Sequence, residues 1–295
     1  MKYFYYPGCS LEGTAAEYDV STRAVLGKLG VELVELEDWT CCGASAAEAV
    51  SRLLSMVLPA RNLALAQKAE VKADFLVPCS ACYLNLRKVE EQVRQDGELL
   101  ARINEVLEEE DLRYRGGIHS RHLLDVLAND IGADRVLGSR TLSLEGLRVV
   151  PYYGCQALRP YQTYDDPEFP KSMEPLIEAL GAEVVPWNLG AKCCGAGLMT
   201  TKKEAAQEAV AQILAGARGG DCIVTICPMC QMNLEGFQKK ISKIFGEDLR
   251  ISVLYLPQLI GLALGLSDRE LKLDKNLALH SELWDRLRSL KRGSP

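Results

Sequence analysis

The sequence predicts an α/β protein built as two pseudo-symmetric domains, each a parallel sheet flanked by helices. Three observations predict it. Short β-branched, aromatic and aliphatic runs alternate with stretches whose apolar residues recur at three-to-four spacing. The same order of motifs occurs twice along the 295 residues. In both copies the cysteines fall just past the strand-like runs, at the carboxyl edge where open α/β sheets assemble their sites.

In the first half KYFYY, VELVEL and DFLVP (residues 2–6, 31–36 and 74–78) read as buried strands. Residues 15–30 and 46–69 read as the helices between them. In the second half RVVPYY, AEVVPW and CIVTI (148–153, 182–187 and 222–226) are the matching strands, and 171–181, 202–217 and 231–245 the helices. Each half is expected to close with a similar apolar helix, because residues 118–135 echo residues 254–269. The boundary is placed near Gly146, giving domains 1–145 and 146–295.

Composition narrows the function. Hydrophobic residues make up 48% and charged residues 25%, enough for packed cores, with a net charge of −6. No basic stripe interleaved with aromatics occurs, which argues against nucleic acid as a partner. The start, MKYFYYPGCS, lacks the features of a signal peptide. The longest apolar stretch, 251–266, is interrupted by Pro257 and Gln258 and falls short of the roughly 20 residues of a membrane span. A cytoplasmic protein that does not itself span a membrane is expected.

The 11 cysteines direct the chemistry. In a reducing compartment they point to metal or redox work rather than disulfides, and vicinal cysteines bridge poorly. Ten of them form one pattern written twice. The first half has FYYPGC (Cys9), WTCCGAS (Cys41, Cys42) and VPCSACYLNL (Cys79, Cys82). The second has PYYGC (Cys155), AKCCGAG (Cys193, Cys194) and TICPMCQMNL (Cys227, Cys230). The order is invariant while the gaps differ, as expected of a duplication with loop drift.

Thiolates select zinc, copper(I) or iron–sulfur clusters. A structural zinc needs four ligands around one point. Five ligands, two of them adjacent, suit a cluster better, because neighbouring sulfurs can reach different irons. Zinc at one site is the alternative. Gly8, Gly43, Gly154 and Gly195 flank the cysteines and can bring backbone N–H groups close to sulfur, or simply serve tight turns. Asn85 and Asn233 occupy matching positions after each Cys-x-x-Cys and read as helical residues, with a bond near the site as the other option. Cys222 has no counterpart and is excluded as a ligand; His119, His122 and His280 also lack matching positions, and His119 and His122 read as helix caps, with a place near an active site as the other option. No dinucleotide fingerprint or phosphate loop is present, so electrons are expected from another protein of a complex.

Across essentially its whole length this cysteine pattern resembles the CCG-domain, cysteine-rich family, to which the B subunits of heterodisulfide reductases belong. The resemblance implies two Rossmann-like CCG domains with their cluster sites at the carboxyl ends of parallel strands. It implies two non-cubane [4Fe–4S] clusters. Cys9, Cys41, Cys42, Cys79 and Cys82 would ligate one, and Cys155, Cys193, Cys194, Cys227 and Cys230 the other. The implied reaction is two-electron cleavage of a disulfide of the CoM-S-S-CoB type between the clusters. The implied partners are the ferredoxin-like and flavin-containing subunits of a heterodisulfide-reductase-like complex. An electron-transfer component serving another redox enzyme, a quinone or a sulfur carrier is the first alternative, and a zinc-stabilised scaffold the second.

Overall fold

The computed structural model describes residues 1–44, 46–69 and 73–293. It contains two four-stranded sheets, each parallel throughout. Strands β1 (Lys2–Tyr5), β2 (Glu32–Glu35), β3 (Phe75–Val77) and β4 (Ser120–His122) pair in the order β2-β1-β3-β4. Strands β5 (Arg148–Tyr152), β6 (Glu183–Val184), β7 (Cys222–Thr225) and β8 (Ser252–Tyr255) pair in the equivalent order β6-β5-β7-β8. The burial pattern follows: β3, β7 and β8 are buried along their whole length, as parallel strands covered on both faces must be. The edge strand β2 is half-exposed.

The fold class is as expected, and the differences lie in the details. Strand β4 lies inside the first stretch expected to be a closing helix, and β8 runs into the start of the second. Each precedes a helix: Leu123–Asp125 follows β4 and Leu256–Ala263 follows β8. Their sequences, SRH and SVLY, are too short to separate from the apolar run that follows them. The helix expected over 46–69 is two helices, Ala46–Val50 and Arg52–Lys68, divided at Ser51. Ser51 is extended, and its hydroxyl accepts the Leu54 N–H at 3.3 Å, capping the second helix. The helix expected over 231–245 is likewise broken at Phe237, between Pro228–Gly236 and Gln238–Phe245.

The chain gathers into two compact units. One comprises Met1–Ala16 and Gly30–Leu123, and the other Glu17–Leu29 and everything from Leu124 onward. This division departs from a simple cut near Gly146. The segment Glu17–Leu29 belongs by contacts to the second unit: Tyr18 stacks on Tyr255 with ring centroids 4.1 Å apart, and its hydroxyl donates to the Ile226 carbonyl at 3.0 Å. The Arg135 guanidinium donates to the Leu29 carbonyl at the end of the same segment. Among the described residues no helix is long and apolar enough to cross a membrane.

Candidate metal-cluster sites

Within the first unit all five repeat cysteines stand beyond the carboxyl ends of neighbouring strands. Cys9 lies in the short helix Gly8–Glu12 after β1, and Cys41 and Cys42 in the loop after β2. Cys79 holds the N-cap position of the helix Ser80–Gln95 after β3, and Cys82 lies in its first turn. The helix start favours negative charge there, suiting thiolates. The sulfurs make a string: Cys9 Sγ to Cys41 Sγ is 3.7 Å and Cys42 Sγ to Cys82 Sγ is 3.3 Å. Cys42 also shares a hydrogen bond with Cys41, and Cys82 with Cys79.

The second unit repeats this arrangement. Cys155 follows β5, Cys193 and Cys194 follow β6, Cys227 holds the N-cap position of the helix Pro228–Gly236 after β7, and Cys230 lies in that helix. Cys194 Sγ lies 3.5 Å from Cys230 Sγ, Cys155 shares a hydrogen bond with Cys193, and Cys230 shares one with Cys227. Cys222, excluded by sequence, is fully buried at the start of β7, where burial pushes its thiol up.

Glycines make room for these sulfurs. Gly8 has φ +71°, and a Cβ there would lie 2.9 Å from Cys82 Sγ. Gly154 repeats this with φ +70° and 3.0 Å to Cys230 Sγ. The N–H groups of Gly43 and Gly195 donate to Cys41 Sγ at 3.4 Å and Cys193 Sγ at 3.3 Å. The N–H approach to sulfur read from the sequence is present at Gly43 and Gly195, while the room left for sulfur at Gly8 and Gly154 is a further role.

The adjacent pair in each unit is pinned through its backbone on both sides. The Tyr6 hydroxyl donates to the Thr40 carbonyl at 2.7 Å, and the Tyr152 hydroxyl to the Lys192 carbonyl at 2.6 Å, each just ahead of the pair. From the helix bearing Cys-x-x-Cys, Asn85 Nδ2 donates to the Cys42 carbonyl at 2.9 Å and Asn233 Nδ2 to the Cys194 carbonyl at 2.8 Å. All three motif pieces of a unit thus lock one another by hydrogen bonds, independently of any ligand. The asparagines do more than the plain helical role read from sequence. Sequence reasoning missed the tyrosines, although the doubled YY before each single cysteine is visible in the repeat.

The electrostatics differ between the arrays. In the first, hydrogen bonds from Cys41 and Cys82 bring the Cys42 thiol down to about 4 and push both partners up. In the second, the lowered thiol is the other member of the pair, Cys193. The Cys155 hydrogen bond, the Gly195 N–H and the Arg159 guanidinium bring Cys193 down to about 6. Arg159 Nη2 also donates to the Ala191 carbonyl at 2.5 Å. In the first unit buried Asn62 holds the matching loop, accepting the Thr40 N–H at 2.8 Å and donating to its carbonyl at 2.9 Å. His122 sits by the first array, its Nε2 3.2 Å from Ser80 Oγ, whereas His280 contacts Gln238, its Nε2 3.2 Å from Gln238 Oε1.

The donor set fits a polynuclear sulfur-ligated group. Five thiols are strung along three loops, and among the described residues no three His, Cys, Asp or Glu side chains close around the position of a single metal ion. One zinc would need four donors about one centre.

A parallel α/β unit with five cysteines at its sheet edge, present twice, defines a class of cysteine-rich α/β proteins. The profile of the cysteine-rich CCG domain matches residues 3–87 and again 149–235, and the chain belongs to that family. It is 35% identical over 280 residues to the 8-methylmenaquinol:fumarate reductase membrane anchor subunit of Wolinella succinogenes, covering 94% of this chain and 96% of that one. It is 30% identical over 293 residues to the B subunit of the ferredoxin/F(420)H(2)-dependent CoB-CoM heterodisulfide reductase of Methanosarcina acetivorans, covering 97% of each. A protein of Archaeoglobus profundus that is like the B subunit of heterodisulfide reductase is 31% identical over 274 residues, covering 90% of this chain and 91% of that one. A crystal structure of a hypothetical protein from Helicobacter pylori matches with a TM-score of 0.75 and 17% identity, over 95% of this chain and 52% of that one. This chain spans about half the length of that protein, and the likeness speaks for the fold alone.

Proposed function

We propose that the chain is the iron–sulfur component of a heterodisulfide-reductase-like complex and that it reduces a disulfide. The observation carrying this reading is that both halves, 1–145 and 146–295, keep all five cysteines on equivalent loops, with equivalent glycines and backbone clamps. Cys9, Cys41, Cys42, Cys79 and Cys82 would hold one [4Fe–4S] cluster of non-cubane type, and Cys155, Cys193, Cys194, Cys227 and Cys230 the second. Such clusters, when bound, supply one-electron steps and a Lewis-acid centre for sulfur. The chain's own contribution is rigidity: Tyr6, Asn85, Tyr152 and Asn233 fix the adjacent pairs, and Gly8 and Gly154 leave space for sulfur.

The relatives' names support work inside a multisubunit reductase, with electrons passing between this chain and ferredoxin-like and flavin-containing partners. A second reading is favoured by the 35% identity to a component of a menaquinol-dependent fumarate reductase. In that case the chain transfers electrons between a quinol and another redox protein. The anaerobically purified protein, supplied with reduced methyl viologen, separates the two. Disulfide-dependent dye oxidation with CoM-S-S-CoB or a related disulfide supports the first reading. Oxidation driven only by a naphthoquinone supports the second.

A further inference from the structure

The two cysteine arrays share ligands, glycines and clamps, yet they differ in charge at matched positions. Counting from the single cysteine, the first half runs Cys9-Ser-Leu-Glu12-Gly13 and the second Cys155-Gln-Ala-Leu158-Arg159. An acid and a glycine in one copy thus correspond to an apolar residue and an arginine in the other. Immediately before the adjacent pair, Thr40 is matched by Lys192. All three differences act in one direction, making the surroundings of the second array more positive.

The structure ties this charge to the second array. The Arg159 backbone N–H donates to the Cys155 carbonyl at 3.0 Å, and its guanidinium to the carbonyl of Ala191, two residues before Cys193. The arginine therefore spans two of the three ligand-bearing loops. Its partners here are carbonyls, which leave its charge uncancelled. Lys192 bonds to the neutral side chain of Gln212. In the first unit Lys88, three residues past Asn85, is paired with Glu48 at 2.7 Å. Glu12 stands exposed three residues after Cys9.

We propose that Arg159, supported by Lys192, makes the second cysteine array the stronger electron acceptor of the two, so that a single electron given to the chain rests there at equilibrium. The proposal rests on the reading that both arrays hold iron–sulfur clusters. Its physical basis is simple. Reduction adds negative charge, a fixed cation stabilises the reduced form more than the oxidised one, and the reduction potential rises. An exposed guanidinium acts through partly solvated surroundings, so added salt weakens the effect. The opposing candidate is His122, which the first unit has where the second has Tyr255, but its Nε2 is engaged by the Ser80 hydroxyl.

The test is a redox titration of the anaerobic holoprotein followed by electron paramagnetic resonance. The midpoint lost in Cys193→Ala is assigned to the second array, and it is expected to be the higher of two. Arg159→Gln should lower that midpoint alone, by about a tenfold change in the reduction equilibrium, or about 59 mV for a one-electron couple. Arg159→Lys should restore most of it, and Gly13→Arg should raise the other midpoint. Iron content, measured on every variant, shows that both clusters persist. Coincident midpoints, a higher midpoint on the first array, or a midpoint unmoved by Arg159→Gln overturns the inference and leaves the iron–sulfur reading standing. A wild-type protein without iron overturns both.

Discussion

At the scale of single residues, small groups leave room for sulfur or hold a carbonyl still. Gly154→Ala combines a positive φ with a Cβ 3.0 Å from Cys230 Sγ, and is expected to empty the second array while sparing the first. Iron per chain should fall by about half. Gly27→Ala is the control: it lies inside the helix Ala16–Lys28 with open space around it, and should stabilise the protein by about 0.5–1 kcal/mol in a thermal melt. Asn233→Ala strips a buried hydrogen bond from the Cys194 carbonyl and should cost about 1–3 kcal/mol, with faster iron loss to a chelator. Glu235 supplies a pH test away from the cysteines. Burial lifts its carboxyl from 4.5 to about 7, with the Leu277 and Ala278 N–H groups pulling the other way. The folded state therefore holds that proton more tightly than the unfolded chain. The stability it lends is full below about pH 4.5 and is lost as pH rises through about 7. Denaturant titrations should show the wild type losing about 3 kcal/mol relative to Glu235→Gln across that window.

At the scale of elements, what was legible in the sequence was whatever carried a long or repeated signal. Several cysteine loops could be placed because they follow a strand whose apolar run is closed by Gly or Pro, as in YYPGC and LVPCSAC. The helices over 15–30 and 202–217 were legible from their periodicity. The breaks at Ser51 and Phe237 were not, because the apolar spacing continues across them; at Ser51 a local cap divides the helix, and at Phe237 a change of backbone conformation does. Ser51→Ala should remove the cap and cost about 1 kcal/mol, seen as a lower melting temperature without loss of iron. Strands β4 and β8 were hidden for a related reason: SRH and SVLY flow directly into apolar helices, and only pairing with β3 and β7 identifies them. At the sites the ligands were legible and the clamps largely were not. A tyrosine or asparagine bonded to a distant carbonyl leaves no spacing signature of its own.

At the scale of the whole molecule, duplication explains both the likeness and the divergence of the halves. The sheets keep one strand order and the arrays one set of clamps. The segment Glu17–Leu29, although written in the first half, packs within the second unit, where Tyr18 meets Tyr255 and the Ile226 carbonyl. No periodicity within residues 17–29 announces this, because an amphipathic helix does not specify which core receives it. Divergence also shows where function is concerned, in the arginine and lysine that the second copy carries beside its cysteines. On the proposed reading each half holds one polynuclear iron–sulfur site. Iron and zinc analysis of the anaerobically purified protein tests it most directly. The account predicts about eight irons per chain, falling to about four in Cys193→Ala; stoichiometric zinc with negligible iron would contradict it.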